Sequence, residues 1–323
     1  MTLPRMGLGC MSLSHAYGVP PSEGEGVALL RAALDAGVGM LDTATLYGGG
    51  RNEELVGRAI AGRRDEVVLA SKGGMALVDG VRTIDGRPGT LRAQVDASLR
   101  RLGVDRIDLY YLHRWDRRVA IGESVGALDE LVRAGKIGGI GLSEVSVARL
   151  REAQQVAPIA AVQNEYSLWS RNPELGMLDA TREWGVAFVA FSPVARGFLS
   201  RGVDDPAQLA PNDIRRSMPR FQPEHWRANA ALLPAWHALA EEAGCTPAQL
   251  AIGWVLSRGE HVIPIPGTTN PAHLHEDLAA LDLQIAPDVL VRAAALISTE
   301  TVSGPRYAPG PAADVDTESF EAA

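Results

Sequence analysis

The chain has 323 residues, 46% of them apolar and 22% charged, the proportions of an ordinary soluble globule. Its net charge of −8 excludes a general nucleic-acid or acidic-membrane binder, which needs a basic footprint. Two cysteines, Cys10 and Cys245, form no disulfide framework or metal-ligand pattern, and no window nears the roughly 18 apolar residues of a membrane span, so a cytoplasmic location is expected.

In chain order, "MGLGCM" (6–11) reads as a short first strand. "EGVALLRAALDAG" has helical spacing and closes on a glycine, and "GVGMLDTA" (37–44) follows as a strand. Helix "EELVGRAIAG" leads to strand "EVVLASK" (66–72). Helix "TLRAQVDASLRRLG", with Thr90 as its expected N-cap, leads to strand "RIDLYYLH" (106–113). The rhythm continues through "SVGALDELVRAG" and "IGGIGLS" (137–143), then "SVARLREAQQ" and "IAAVQNE" (159–165). "LGMLDATREWG" and "VAFVAFSP" (186–193) come next. A looser stretch at 200–227 precedes helices "ANAALLPAWHALAEEAG" and "TPAQLAIGWVLSRG", strand "HVIPIPG" (261–267) and helix "PAHLHEDLAALD".

Eight apolar strands in alternation with helices predict an α/β fold, a (β/α)8 TIM barrel with extra helices, over residues 1–300. The Pro/Ala/Asp-rich residues 301–323 are expected to form a poorly ordered C-terminal tail. A doubly wound open sheet is the competing architecture, but its G-x-G-x-x-G fingerprint is absent; "GGIG" at 138–141 lacks the third glycine and the following helix.

In a parallel barrel the chemistry sits at the C-terminal ends of the strands. Asp42 ends the second strand, Tyr47 follows it, Lys72 ends the third and His113 ends the fourth. Lys72 and Lys136 are the only lysines among 31 basic residues, so a compact amine where arginine is the rule invites a chemical role for Lys72. An Asp42 carboxylate would keep Lys72 charged, and that ammonium is expected to lower the pKa of Tyr47. Tyr47 could then protonate a carbonyl oxygen while neutral His113 donates a hydrogen bond to it. Such a site suits hydride transfer, and because no side chain supplies hydride, a nicotinamide is implied.

The motifs along residues 5–300 resemble those of the aldo-keto reductases. "LDTATLYGGGRNEELVGRAI", "VVLASKGG" and "SLRRLGVDRIDLYYLHRWD" are similar to the family's acid-and-tyrosine, lysine and histidine segments. "GKIGGIGLSEVS", "AVQNEYSLWSR" and "FSPVARGFLS" are similar to its later strands. The resemblance implies catalytic Asp42, Tyr47, Lys72 and His113, with Asp42 also beside the cofactor, and makes the glycines after Tyr47 a turn rather than a phosphate cradle. It implies that Ser143 and Gln163 hold the nicotinamide carboxamide and that Phe191 stacks under the ring. Ser192, Val194, Arg196 and Gly197 would follow the pyrophosphate, and Gly9 and Met11 would border the nicotinamide ribose. Gly267, Thr268, Thr269, His273, Glu276 and Asp277 would form the adenosine end. Glu144 stands where many members carry Asn, His273 where many carry Arg, and Asp277 where Asn is commoner.

The implied cofactor is NADPH, with NADH possible because no Lys or Arg lies between Arg258 and Arg292 to grip a 2′-phosphate. Tyr17, Tyr47, Met75, His113 and Trp115 are expected to line the opening for a small-molecule carbonyl substrate. Arg215 and Arg216, in the 204–227 loop, could approach the pyrophosphate but equally suit a solvated loop. The implied state is a monomer or weak homo-oligomer. A cofactor-sensing regulatory subunit, resembling the channel-associated β-subunits of this superfamily, is the alternative reading. A metal hydrolase fails for lack of ligands near His113.

Overall fold

Short runs rich in Val, Ile, Leu and Ala become strands here because helices cover one side of each strand and the barrel lumen the other. The computed structural model describes residues 2–14 and 16–320. Strands β1 (Leu8–Gly9), β2 (Met40–Asp42) and β3 (Val68–Gly73) are followed by a separate hairpin, β4 (Met75–Val78) and β5 (Val81–Ile84). Then come β6 (Leu109–Leu112), β7 (Ile140–Ser143), β8 (Ile159–Glu165), β9 (Ala187–Phe191) and β10 (Val262–Ile265). The main sheet runs β1-β2-β3-β6-β7-β8-β9-β10, every neighbour parallel. Gly7 and Gly9 donate their N–H groups to the carbonyls of Pro264 and Pro266, at 3.1 and 2.9 Å, and so join its first edge to its last. The result is the (β/α)8 barrel.

The helices are α1 (Glu23–Asp35), α2 (Arg51–Ile60), α3 (Pro88–Leu102), α4 (Ile121–Arg133), α5 (Val147–Gln154) and α6 (Met177–Glu183). After β9 come α7 (Pro223–Ala230), α8 (Leu233–Glu242), α9 (Pro247–Leu256), α10 (Pro271–Ala279), α11 (Pro287–Leu296) and α12 (Pro309–Ala312). Inside the barrel, Met40, Ala70, Leu109, Tyr111, Ala161, Val189, Ile263 and Ile265 form a packed plug. Gly141 makes room for it, since a Cβ there would fall 2.2 Å from the Tyr111 ring.

Four expectations change. Thr90 is not an N-cap: α3 starts at Pro88, whose fixed φ suits a first turn, and the Thr90 hydroxyl donates to Asp85 instead. The single helix expected over 228–244 is two, α7 ending at Ala230 and α8 beginning at Leu233, with Pro234 in the first turn of α8. The β4–β5 hairpin was not foreseen, although Asp79 and Gly80, at φ 50° and 78°, form its tight turn.

The tail is the largest change. Residues 301–320, read as poorly ordered, run back across the barrel mouth, while 321–323 lie outside the described residues. The segment is pinned by charge: Asp314 pairs with Arg82 of the hairpin, and Asp316 accepts from Ser146 at 2.9 Å. Glu318 accepts from the N–H of Val147, at the exposed N-terminus of α5, at 2.7 Å. At the other end of the barrel Lys136, in the turn entering β7, pairs with Asp96 at 2.6 Å on the surface.

Candidate active site

The register of the sheet sets the site. Asp42 is the last residue of β2, Lys72 lies near the end of β3, and His113 follows β6 directly. Tyr47 opens a tight turn in which Gly48, Gly49 and Gly50 have φ of 59°, 66° and 97°, so the glycine triplet serves a left-handed backbone. Asn52, at the start of α2, ties this turn to β1 and β2. It accepts from the Thr43 hydroxyl at 2.6 Å and donates to the Cys10 carbonyl at 2.8 Å.

All four side chains meet in one buried cluster. The Lys72 ammonium pairs with Asp42 Oδ1 and donates to the Thr43 carbonyl at 3.0 Å and the Tyr47 hydroxyl at 3.3 Å. Gln163 Nε2 donates to the other Asp42 oxygen at 2.8 Å. The Tyr47 and His113 rings stand edge to face, centroids 5.9 Å apart. His113 Nδ1 is buried and has no hydrogen-bond partner among the described residues. Ala44, Leu46, Met75 and Met11 pack around the Tyr47 ring.

Electrostatics divide these groups. Burial alone would lower the Lys72 pKa, but Asp42, followed by Tyr47, overrides it and holds the ammonium above its usual range. Burial raises the Tyr47 phenol, and Lys72 opposes that rise without cancelling it. The expected net lowering of the phenol is therefore corrected: loss of water outweighs the neighbouring ammonium. Burial, then the charges of Arg114, Lys72 and Arg82, push His113 well below its usual value, so the imidazole is neutral at neutral pH.

The residues placed by resemblance fall on one side of this cluster. Ser143 is buried at the end of β7, and its hydroxyl accepts from Arg114 at 3.2 Å. Phe191 ends β9 half-buried. After it, Ser192, Ala195 and Arg196 are non-glycine residues at φ 54°, 52° and 56°, followed by Gly197 at 91°. This strained backbone makes tight turns around Val194, in which the N–H groups of Ala195 and Gly197 donate to the carbonyls of Ser192 and Val194 at 2.9 and 3.1 Å. Gly9 and Gly267 are explained by packing: a Cβ on Gly267 would lie 2.7 Å from the Gly9 carbonyl. Thr268 accepts from the N–H of Asn270 at 3.0 Å, and Thr269 and His273 are exposed beside the start of α10.

Several side chains point elsewhere than expected. Arg196 turns inward, donating to Glu165 at 2.7 Å, Tyr307 at 2.9 Å and Tyr17 at 3.0 Å, so only its backbone follows the 192–197 loop. Glu144 is fully engaged, accepting from the N–H of Glu165 at 2.8 Å and from Arg306 at 2.6 Å. The Trp115 indole donates to the Val119 carbonyl and lies between Arg117 and Arg149. Arg215 pairs with Asp213 and donates to the Arg196 carbonyl, fastening the 204–227 loop to the mouth, whereas Arg216 binds only loop carbonyls.

Sequence reasoning missed Glu165, Arg306 and Tyr307. Burial favours the neutral acid, yet Arg196 and Arg306 hold Glu165 well below the usual carboxylate range. The one signal was an acid ending the polar Gln163-Asn164-Glu165 run of an otherwise apolar strand. A groove of about 870 Å³ between the ends of α2 and α3 contains none of these site residues.

Asp277 is buried beside Glu276, and burial first, then the Glu276 charge, pushes its carboxyl up to about 7. Because the folded state resists ionising this acid, the unfolded chain loses its proton first as pH rises from about 4. The resulting loss of stability is complete above about pH 7. Asp277→Asn is therefore expected to stabilise the cofactor-free protein at pH 8, by at most about 4 kcal/mol, and to have little effect near pH 4. Urea unfolding at both pH values checks this; an equal effect at the two would refute the assignment.

The model of the aldo/keto reductase family matches residues 5–297. Among solved structures, the chain is 30% identical to a glycerol dehydrogenase from Gluconobacter oxydans, with a TM-score of 0.84, covering 96% of this chain and 95% of that one. It is 26% identical to an aldo-keto reductase from Bacillus halodurans in its holo form, with a TM-score of 0.75 and 96% and 95% coverage. It is 27% identical to an aldo/keto reductase from Klebsiella pneumoniae in complex with NADP and acetate, with a TM-score of 0.72 and 95% and 94% coverage.

Proposed function

The chain belongs to the aldo/keto reductase family, and from that premise we propose that it reduces aldehydes or ketones to alcohols with hydride from NADPH. The carrying observation is the Lys72 ammonium held between the Asp42 carboxylate and the Tyr47 hydroxyl in a buried site. When bound, NADPH supplies the hydride that no side chain here could give. Ser143 and Gln163 would hold its carboxamide, Phe191 its ring, the 192–197 loop its pyrophosphate, and 267–277 its adenosine. The register of the sheet supports that fit, because Ser143 and Gln163 are direct neighbours on β7 and β8 and so present two amide-pairing side chains together.

Tyr47, kept protonated by burial, donates its proton to the carbonyl oxygen as that oxygen gains negative charge. Lys72 stabilises the phenolate left behind, and Asp42 keeps the lysine charged and aimed. Neutral His113 offers a hydrogen bond to the same oxygen and so orients the carbonyl. Met11 and Met75 pack beside Tyr47, and this apolar cluster would border the bound carbonyl compound.

The test is consumption of NADPH with a panel of aldehydes and ketones, alongside dissociation constants for NADPH and NADH. Glycerol and its aldehyde belong in the panel because one structural relative is a glycerol dehydrogenase. NADPH is expected to bind more tightly. NADH binding tighter by about tenfold, roughly 1.4 kcal/mol, would reverse the cofactor assignment.

A further inference from the structure

Arginine crowds the mouth of the barrel, and most of it is neutralised. Arg82, Arg117, Arg149, Arg196, Arg215 and Arg306 each have a carboxylate within 4.0 Å. Arg220 has none, but its Nε and Nη1 donate to the carbonyls of Gly304 and Trp169 and to the Ser170 hydroxyl, which leaves only Nη2 without a partner among the described residues. Arg114 differs from all of them. It follows His113 directly, it is half-buried, and no carboxylate among the described residues pairs with it. Its Nη1 donates to the His113 carbonyl at 2.6 Å and the Ser143 hydroxyl at 3.2 Å. Nε and Nη2 have no partner among the described residues and are not sealed from solvent.

The two anchoring bonds fix this guanidinium beside the reacting groups. Its positive charge is felt by both the Tyr47 phenol and the His113 imidazole. A fixed cation with free donors, next to an oxygen-binding site, is a ready partner for a planar anion. Leaving it half-buried and unpaired costs stability, and that cost is offset when a carboxylate arrives.

We infer that Arg114 is a specificity-determining residue that binds a carboxylate on the carbonyl substrate, so the preferred substrates are aldehydes or ketones bearing an acid group. The inference rests on the reductase reading and names its substrate class. The carboxylate binds Arg114 through Nε and Nη2, while the carbonyl oxygen lies between Tyr47 and His113.

The experiment compares 4-carboxybenzaldehyde with its uncharged methyl ester, methyl 4-formylbenzoate, in wild type, Arg114→Met and Arg114→Lys. In wild type, kcat/KM is expected to favour the acid by about tenfold or more, less at high salt. Arg114→Met should bring the ratio of the two substrates to about one, through KM for the acid, and Arg114→Lys should restore part of it. A wild-type ratio near one, or a ratio unchanged in Arg114→Met, overturns the inference. A second measurement does not depend on turnover. Calorimetry with NADP-saturated protein compares 4-(hydroxymethyl)benzoate with its methyl ester, and only the acid should lose affinity on Arg114→Met. If neither aldehyde is reduced but this selective loss remains, the reductase reading fails and the carboxylate site stands. If both compounds weaken equally, Arg114 only supports Ser143 and the site is refuted.

Discussion

Replacing Tyr47 by Phe is expected to cut aldehyde turnover by two to four orders of magnitude, the usual contribution of a positioned general acid. Affinity for NADPH should stay within about threefold, or 0.7 kcal/mol. The substitution removes one oxygen and keeps the ring, which packs on Ala44, Leu46 and Met75 and stands edge-on to His113. Lys72 retains Asp42 and the Thr43 carbonyl, so the barrel should unfold at an unchanged denaturant midpoint. The loss should therefore fall on kcat. Steady-state rates and a fluorescence titration of cofactor would show it; turnover within a few-fold of wild type would mean that another group donates the proton.

Lys72→Met should unfold the protein more easily by about 3–5 kcal/mol and abolish turnover. Both partners of the pair are sealed, with Asp42 2% and Lys72 1% exposed, so the variant strands a carboxylate that only Gln163 still contacts. Removing the second charge should repair the fold without repairing the chemistry. Asp42→Asn/Lys72→Met is expected to recover most of the lost stability while remaining inactive, because an amide can still bond to Gln163 but nothing stabilises the Tyr47 phenolate. Urea unfolding of the wild type, single and double variants reads this coupling directly. A single variant as stable as wild type would show that the pair carries no charge in the folded protein.

The barrel and the cluster at its mouth were legible because both are written in local signals. The strands are short apolar runs, and at or next to the ends of three of them stand Asp42, Lys72 and His113. The β4–β5 turn was equally local, since Asp79-Gly80 is a hairpin signature, but the flanking run was too short to stand out. The Arg306–Glu165 contact was beyond such reasoning, for 141 residues separate partners that share no periodicity. Average composition hid it further: a Pro/Ala-rich stretch reads as disordered even when one arginine and one tyrosine within it fit a buried acid. The direction of the Tyr47 shift failed for another reason. A sequence names the neighbouring charge, but only the fold sets how much water the phenol loses.

The scarcity of lysine has a practical side. Lys72 is 1% exposed and locked in its ion pair, so of the side-chain amines only Lys136 is open to an acylating reagent. It sits where the chain enters β7, whereas Ser143 marks the strand's far end at the mouth. Dyes, biotin or a resin coupled through that amine would all attach to the floor of the barrel, and a tethered molecule would hold its entrance toward the bulk liquid.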